Sequence, residues 1–389
     1  MQSDDRRFRF LIALIVVPSV ILLTSYALVA CGGTSSSTSG KSNNVVVAPN
    51  AGGVTLAQQP TAAAQPALTT GNTGNSAVVA PAAKATTAAN DMKNMPVGTA
   101  APAGSASTAA HVPYDAALPA LVPLVPGTTN VRDLRITMHE RPVEIAPGVP
   151  FAEWTFGDSA PGPVVHVKQG DTVKFSLTNK GAMSHSIDFH AAQVPPNKDY
   201  IDVKPDETFT FDWTADYPGV FMYHCGSPLV IAHMASGMYG AVVVDPATPL
   251  PVAHEYVIVQ SEFYVGKDGK VDVDKVLKGQ PDYTTFNGYV NQYKDALLTA
   301  KVGERVRLYV VNAGPSEFSA FHVIGTIFEN AYADGNPANA QHGMQTVTIP
   351  PGGAYTVEFT IPNEGSYAFV THSFADVNRG AVGVLKVTK

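Results

Sequence analysis

From Tyr114 onward, hydrophobic and polar positions alternate in short runs. Val164-Val165-His166-Val167-Lys168, Thr172-Val173-Lys174-Phe175-Ser176-Leu177 and Thr208-Phe209-Thr210-Phe211-Asp212-Trp213 repeat with the period of a half-buried strand. Gly, Pro, Asn and Asp punctuate the runs, and no stretch of comparable length has helical spacing. The pattern then recurs about 130 residues later. Lys168-Gln169-Gly170-Asp171-Thr172-Val173 matches Lys301-Val302-Gly303-Glu304-Arg305-Val306, and Val203-Lys204-Pro205 matches Ile349-Pro350-Pro351. Tyr217-Pro218-Gly219-Val220-Phe221 matches Asn363-Glu364-Gly365-Ser366-Tyr367, and Gly240-Ala241-Val242-Val243-Val244 matches Gly380-Ala381-Val382-Gly383-Val384. A fold is predicted that is all-β, with a duplicated unit of about 120 residues. The two copies, residues 114–247 and 248–389, read as antiparallel sandwiches or barrels. Their joint falls near residues 245–251, where three prolines interrupt the strands.

The front of the chain has another texture. Arg6, Arg7 and Arg9 precede a nearly continuous apolar run from Phe10 to Ala30, the layout of a bacterial export signal. Leu28-Val29-Ala30-Cys31 with Gly32 resembles the lipobox of bacterial lipoproteins, which implies that 1–31 is a signal peptide and that Cys31 is lipidated. An uncleaved anchor is the alternative, since 21 apolar residues just span about 30 Å of hydrocarbon. Both readings place the remainder at the outer face of a membrane, periplasmic or on the cell exterior. Residues 32–113 contain no Phe, Trp or Tyr and only four charged residues. Such a segment cannot offset its chain entropy and is expected to be a disordered tether, with His111 a solvated linker residue.

Composition narrows the classes further. With 33 Gly and 30 Pro in 389 residues, a helix bundle is disfavoured. The net charge of −7 argues against nucleic acid or an anionic membrane surface as partner. Two cysteines, Cys31 and Cys225, exclude a disulfide-dense scaffold, a CxxC zinc site and a CxxCH haem attachment.

Most of the eleven histidines sit where a strand meets a loop. Cys225 lies in Tyr223-His224-Cys225-Gly226, with His233 and Met238 following in one loop and Ser184-His185-Ser186 upstream. A His2Cys set with a weak axial Met is a blue-copper electron-transfer site. The competing reading makes Cys225 a buried hydrophobe and Met238 core packing. Neighbours on a strand point to opposite faces, so with Cys225 turned inward His224 must face out. His190, five residues after His185 across Asp188-Phe189, is placed to face the same way. Two outward histidines invite a second metal, one peptide link from the first, and a third ligand must come from elsewhere.

His185-Ser186-Ile187-Asp188-Phe189-His190-Ala191-Ala192, Phe221-Met222-Tyr223-His224-Cys225 and Ser236-Gly237-Met238-Tyr239-Gly240 resemble the first domain of copper-containing nitrite reductases. Phe321-His322-Val323-Ile324-Gly325 and Val370-Thr371-His372-Ser373-Phe374 resemble the second. The similarity covers roughly residues 128–388. It implies two tandem cupredoxin-like Greek-key domains, with type 1 copper held by His185, Cys225, His233 and Met238. Type 2 copper would be held by His190 and His224 of one subunit and His372 of its neighbour in a homotrimer. Asp188 and His322 match the proton-handling pair, and Ile324 the residue that crowds the substrate pocket. The implied reaction is one-electron reduction of nitrite to nitric oxide and water, the electron entering at type 1 copper and passing along Cys225-His224. With no haem motif, the donor is expected to be a separate soluble cupredoxin or c-type cytochrome.

The sequence departs from that pattern in two places. The Cys225–His233 interval is one residue shorter than in those reductases, which leads to an expected change in spectrum or potential. Residues 193–203, with Pro195-Pro196, replace a glycine-rich turn and are expected to border the substrate pocket. His139, His166, His254 and His342 have no ligand spacing, and residues 151–156 read as strand packing. A laccase-type multicopper oxidase would need His-x-His pairs and a His after the copper cysteine; the chain has no His-x-His, and Gly226 follows Cys225. A blue-copper electron carrier with a vestigial type 2 site is the non-enzymatic alternative.

Overall fold

The computed structural model describes residues 111–389; the expected export signal, Cys31 and all but the last residues of the expected tether lie outside the described residues. In the first domain β1 (Val131–Ala146), β2 (Val149–Phe156), β3 (Val165–Lys168), β4 (Thr172–Asn179), β5 (Asp188–Phe189), β6 (Thr208–Thr214), β7 (Gly219–His224) and β8 (Tyr239–Asp245) form two four-stranded sheets. Their orders are β2-β1-β4-β6 and β3-β8-β7-β5. The second domain contains β9 (His254–Phe263), β10 (Tyr283–Phe286), β11 (Leu298–Lys301), β12 (Arg305–Gly314), β13 (Ser319–Val323) and β14 (Phe328–Ala333). It continues with β15 (Ala340–Met344), β16 (Val347–Ile349), β17 (Ala354–Thr360), β18 (Gly365–Thr371) and β19 (Val382–Thr388). These strands make a six-stranded sheet, β10-β9-β12-β17-β14-β15, and a five-stranded one, β11-β19-β18-β13-β16.

The internal repeat is visible in the topology. Each sheet has one parallel pair: β1 with β4 and β3 with β8, then β9 with β12 and β11 with β19. The repeated Lys-x-Gly-acid run is one turn built twice. The amide of Asp171 donates to the Lys168 carbonyl at 3.0 Å and that of Glu304 to the Lys301 carbonyl at 3.1 Å. Each acid in return accepts its lysine's amide, at 2.7 and 2.9 Å. Gly170 and Gly303 take φ of +89° and +77°, which is why glycine stands third in both copies.

Strand β7 packs against both domains. Its apolar residues are buried on both faces, because the strand lies between the core of its own domain and the second domain. Tyr223 and Cys225 pack in the first domain's core beside Phe156, Phe189 and Met238. Val220 and Met222 point the other way, into a seam with Val257, Val259 and Val311 of β9 and β12. Each Val or Met buried so contributes about 1.5–3 kcal/mol. His224 is the next residue on the seam-facing side.

The domains meet closely enough that glycine is required. A Cβ on Gly288 would lie 1.8 Å from the Ala160 carbonyl oxygen, and φ there is +83°. Gly288→Ala is therefore expected to cost about 3 kcal/mol or more, combining left-handed strain with a backbone clash, read as a lowered midpoint of thermal unfolding.

Residues 111–118 strap the two domains together. The Tyr114 hydroxyl donates to the Gly162 carbonyl at 3.0 Å, and its amide donates to Gln292 Oε1 at 2.9 Å. His111 corrects the expectation of a solvated linker residue. Its ring stacks on Tyr289 at 3.6 Å between centroids, with its Nε2 3.2 Å from Gln292 Oε1. The polar texture of a tether does not reveal where its end lands.

Candidate metal centres

Two clusters of metal-binding side chains flank the end of β7, one on each face. The buried one consists of His185, Cys225 and His233. His185 Nδ1 lies 3.1 Å from His233 Nδ1 and 3.9 Å from Cys225 Sγ, and His233 Nδ1 is 3.3 Å from that sulfur. The Cys225 amide donates to the Met238 carbonyl at 3.1 Å, continuing the β7–β8 ladder by one pair beyond His224–Tyr239. Met238, fully buried, therefore lies across from Cys225. His233 rides on a short helix, Val230–Ala235, started by Leu229 at φ 63°.

The segment at residues 193–203 braces this cluster. Val203 and His185 exchange both backbone hydrogen bonds, at 2.8 and 3.1 Å. Ser227 donates its hydroxyl to Asp202 at 2.6 Å, and the Gly226 amide donates to Ser186 Oγ at 3.0 Å. Trp154 corrects its reading as mere strand packing. Its ring meets His185 and His233 edge to face, with centroids at 5.4 and 4.9 Å. No spacing in the sequence signals that contact, because Trp154 arrives from the other sheet.

The more exposed cluster is Asp188, His190 and His224, with His190 at the surface and the other two half-buried. Asp188 of β5 pairs directly with His224 of β7, its carboxylate 3.9 Å from His224 Nε2. The two imidazoles face each other through Nε2 atoms 3.1 Å apart. His224 Nδ1 donates to the Cys225 carbonyl at 2.9 Å, and His190 is hydrogen-bonded to the Gly352 backbone. With its Nδ1–H so engaged, His224 turns an Nε2 lone pair toward His190, the form in which an imidazole binds a cation. His372 belongs to neither cluster among the described residues. It lies exposed just beyond β18, its ring 5.3 Å from His322 and 4.9 Å from the exposed Phe374. His322 Nδ1 donates to the Gln345 carbonyl. Ile324 is half-buried against Ala368 and Val370.

The remaining histidines have other partners. His166 Nδ1 donates to the Pro119 carbonyl at 2.7 Å and its Nε2 lies 3.1 Å from Asp245. His254 meets Glu304 at 3.3 Å, His342 meets Asn330 at 2.9 Å, and His139 sits opposite Thr155 on β1.

Burial favours the neutral form of four of the site imidazoles. Desolvation, then the neighbouring His233, brings His185 down to about 4. Burial lowers His190, His233 and His322 as well, and raises the Cys225 thiol against hydrogen bonds from Ser186 and Ser227. A neutral imidazole is the form that binds a metal. An imidazole with a depressed folded pKa makes the native state bind fewer protons than the unfolded chain below about pH 6.5. Its contribution is complete above that pH and is lost on acidification. The metal-free protein is expected to lose thermal stability steadily between pH 6.5 and 4.

Two multicopper oxidase family profiles match the chain, one over residues 137–249 and the other over residues 254–387. The copper-containing nitrite reductase of Neisseria meningitidis is 40% identical over 268 residues, covering 65% of this chain and 69% of that protein. That of Pseudomonas chlororaphis is 30% identical over 319 residues, covering 73% and 87%. The solved copper nitrite reductase from Nitrosomonas europaea superposes with a TM-score of 0.64 at 41% identity, covering 67% of this chain and 95% of that one. The chain belongs to the copper-containing nitrite reductase family. Its two cupredoxin-like domains are those of the family, and copper is the metal the donor chemistry fits. The buried cluster of this reductase, two imidazoles and a thiol beside a methionine, suits a soft redox-active ion; the exposed imidazole pair suits a borderline one.

Proposed function

We propose that the chain reduces nitrite to nitric oxide and water, taking up one electron and two protons per nitrite. His185, Cys225, His233 and Met238 would hold one copper, and His190 and His224 a second, completed by His372 of a neighbouring copy in a homotrimer. The exposed His372–Phe374 surface supports an inter-subunit site, since no third imidazole of the same chain joins His190 and His224 among the described residues. When bound, copper supplies one-electron exchange at the buried set and a Lewis-acidic binding position for nitrite at the exposed one.

The carrying observation is the adjacency of His224 and Cys225, one peptide link that feeds two donor sets on opposite faces of β7. Asp188, opposite His224, lies where it can hold a proton beside an oxygen of bound nitrite. His322, with Nδ1–H held by the Gln345 carbonyl, keeps Nε2 free to accept and pass on the second proton. Ile324, two residues further along, would limit the room beside the substrate. The electron would arrive from a soluble cupredoxin or c-type cytochrome. Export and lipidation at Cys31 would keep the reductase at the outer face of a membrane. The copper-loaded protein is expected to release one nitric oxide per nitrite consumed with a reduced artificial donor. Blue copper without nitric oxide would instead identify an electron carrier.

A further inference from the structure

A cross-strand pair closes the outer side of the buried donor set. Glu140 of β1 lies directly opposite Trp154 of β2, so both side chains leave the same face of the sheet. They sit two positions beyond the fully buried pair Met138 and Phe156. Trp154 packs against both histidine rings. Glu140 presents Oε1 3.6 Å from His185 Nε2. That nitrogen is buried and has no hydrogen-bond partner, which leaves the carboxylate as the polar group nearest to compensate it. The carboxylate reaches inward from the surface, its side chain 28% exposed against none for His185. The same Oε1 accepts the Ala182 amide at 2.8 Å, which fixes where it sits. Gly181 leaves the space: a Cβ there would lie 2.8 Å from that oxygen.

Compared ring by ring, the four candidate ligand histidines of the first domain differ in one respect. His224 uses its outer nitrogen on the Cys225 carbonyl, His190 hydrogen-bonds the Gly352 backbone, and His233 the Pro228 backbone. Of these four, His185 alone has a carboxylate as its outer neighbour. A carboxylate facing Nε2 from 3.6 Å favours the tautomer with its proton there, so that Nδ1, the atom facing Cys225 and His233, presents a lone pair. It also adds negative charge behind the ring, making the imidazole a stronger donor and favouring the more highly charged, oxidised ion.

We propose that Glu140 is a positioning residue for His185, fixing its tautomer and lowering the potential of the buried copper centre. The inference rests on the reading of His185 as a copper ligand. Its test is Glu140→Gln and Glu140→Ala in the full chain, with three readouts: unfolding of the metal-free protein, copper affinity, and the midpoint potential of the blue centre. Both variants should unfold at the parent's temperature, because a partly exposed carboxylate contributes little by itself. Glu140→Gln should keep the blue colour and raise the potential. A tenfold weaker preference for the oxidised ion corresponds to about 59 mV for this one-electron couple. Glu140→Ala should bind copper about 10- to 100-fold more weakly. Gly181→Ala, which displaces the carboxylate without altering it, should move the potential in the same direction. Unchanged potential and affinity in Glu140→Gln, with a normal blue centre in the parent, would overturn the inference and leave the copper assignment standing. A parent with no blue centre would overturn the assignment, and the inference with it.

Discussion

Cys225→Ala is expected to abolish the blue colour and to cut donor-driven nitrite reduction more than about 100-fold, while copper remains at His190 and His224. The size of the loss follows from the position of the sulfur. Sγ is the only cysteine sulfur among the described residues, 3.3 Å from His233 Nδ1 and 3.9 Å from His185 Nδ1. Even outer partners of metal ligands cost about 10- to 100-fold when removed, and a ligand costs more. Folding should survive, since the substitution removes one atom from a packed core and leaves no unpaired charge. The exposed set should be untouched, because the Cys225 carbonyl that holds His224 Nδ1 is backbone and persists in the variant. Full colour in Cys225→Ala would refute the assignment of the buried set.

His372→Ala is expected to do the converse: normal colour, a lost type 2 copper and turnover at background. His372 is exposed and its ring meets His322 and the exposed Phe374 at the surface of the second domain, so a folding defect is not anticipated. Subunit complementation sharpens the test. His372→Ala and His224→Ala should each be inactive alone. Co-expressed in one oligomer, they should regain activity at interfaces that pair an intact His190–His224 set with an intact His372. Mixed oligomers as inactive as either parent would contradict a site shared between subunits.

Much of this arrangement is legible in the chain because it depends on local rules. The period of two along residues 219–225 sends Cys225 into one core and His224 out of it, and the pattern holds because each face of β7 meets its own apolar partner. The Lys-x-Gly-acid turns repeat because the same acid-to-amide bond and the same positive φ are needed twice. What stays hidden is made by contacts between distant strands. Nothing near Trp154 or Glu140 announces that they close over His185, since their register is set by the β1–β2 pairing. Asp202 lies in a segment whose sequence suggested a pocket border, yet its carboxylate takes the Ser227 hydroxyl and steadies the cysteine loop. His111 reads as tether because its partners, Tyr289 and Gln292, lie in the other domain. The expected third ligand, His372, is placed by resemblance alone, for no rule of spacing within one chain reaches a site completed by another.

The most direct measurement is electron paramagnetic resonance on the copper-loaded protein, with and without nitrite. The two donor sets, one with a thiolate and one with imidazoles only, should give two separable copper signals of equal weight. Nitrite should perturb the signal of the imidazole set and leave the other unchanged. A single signal, or a nitrite effect confined to the thiolate-bound copper, would contradict the account.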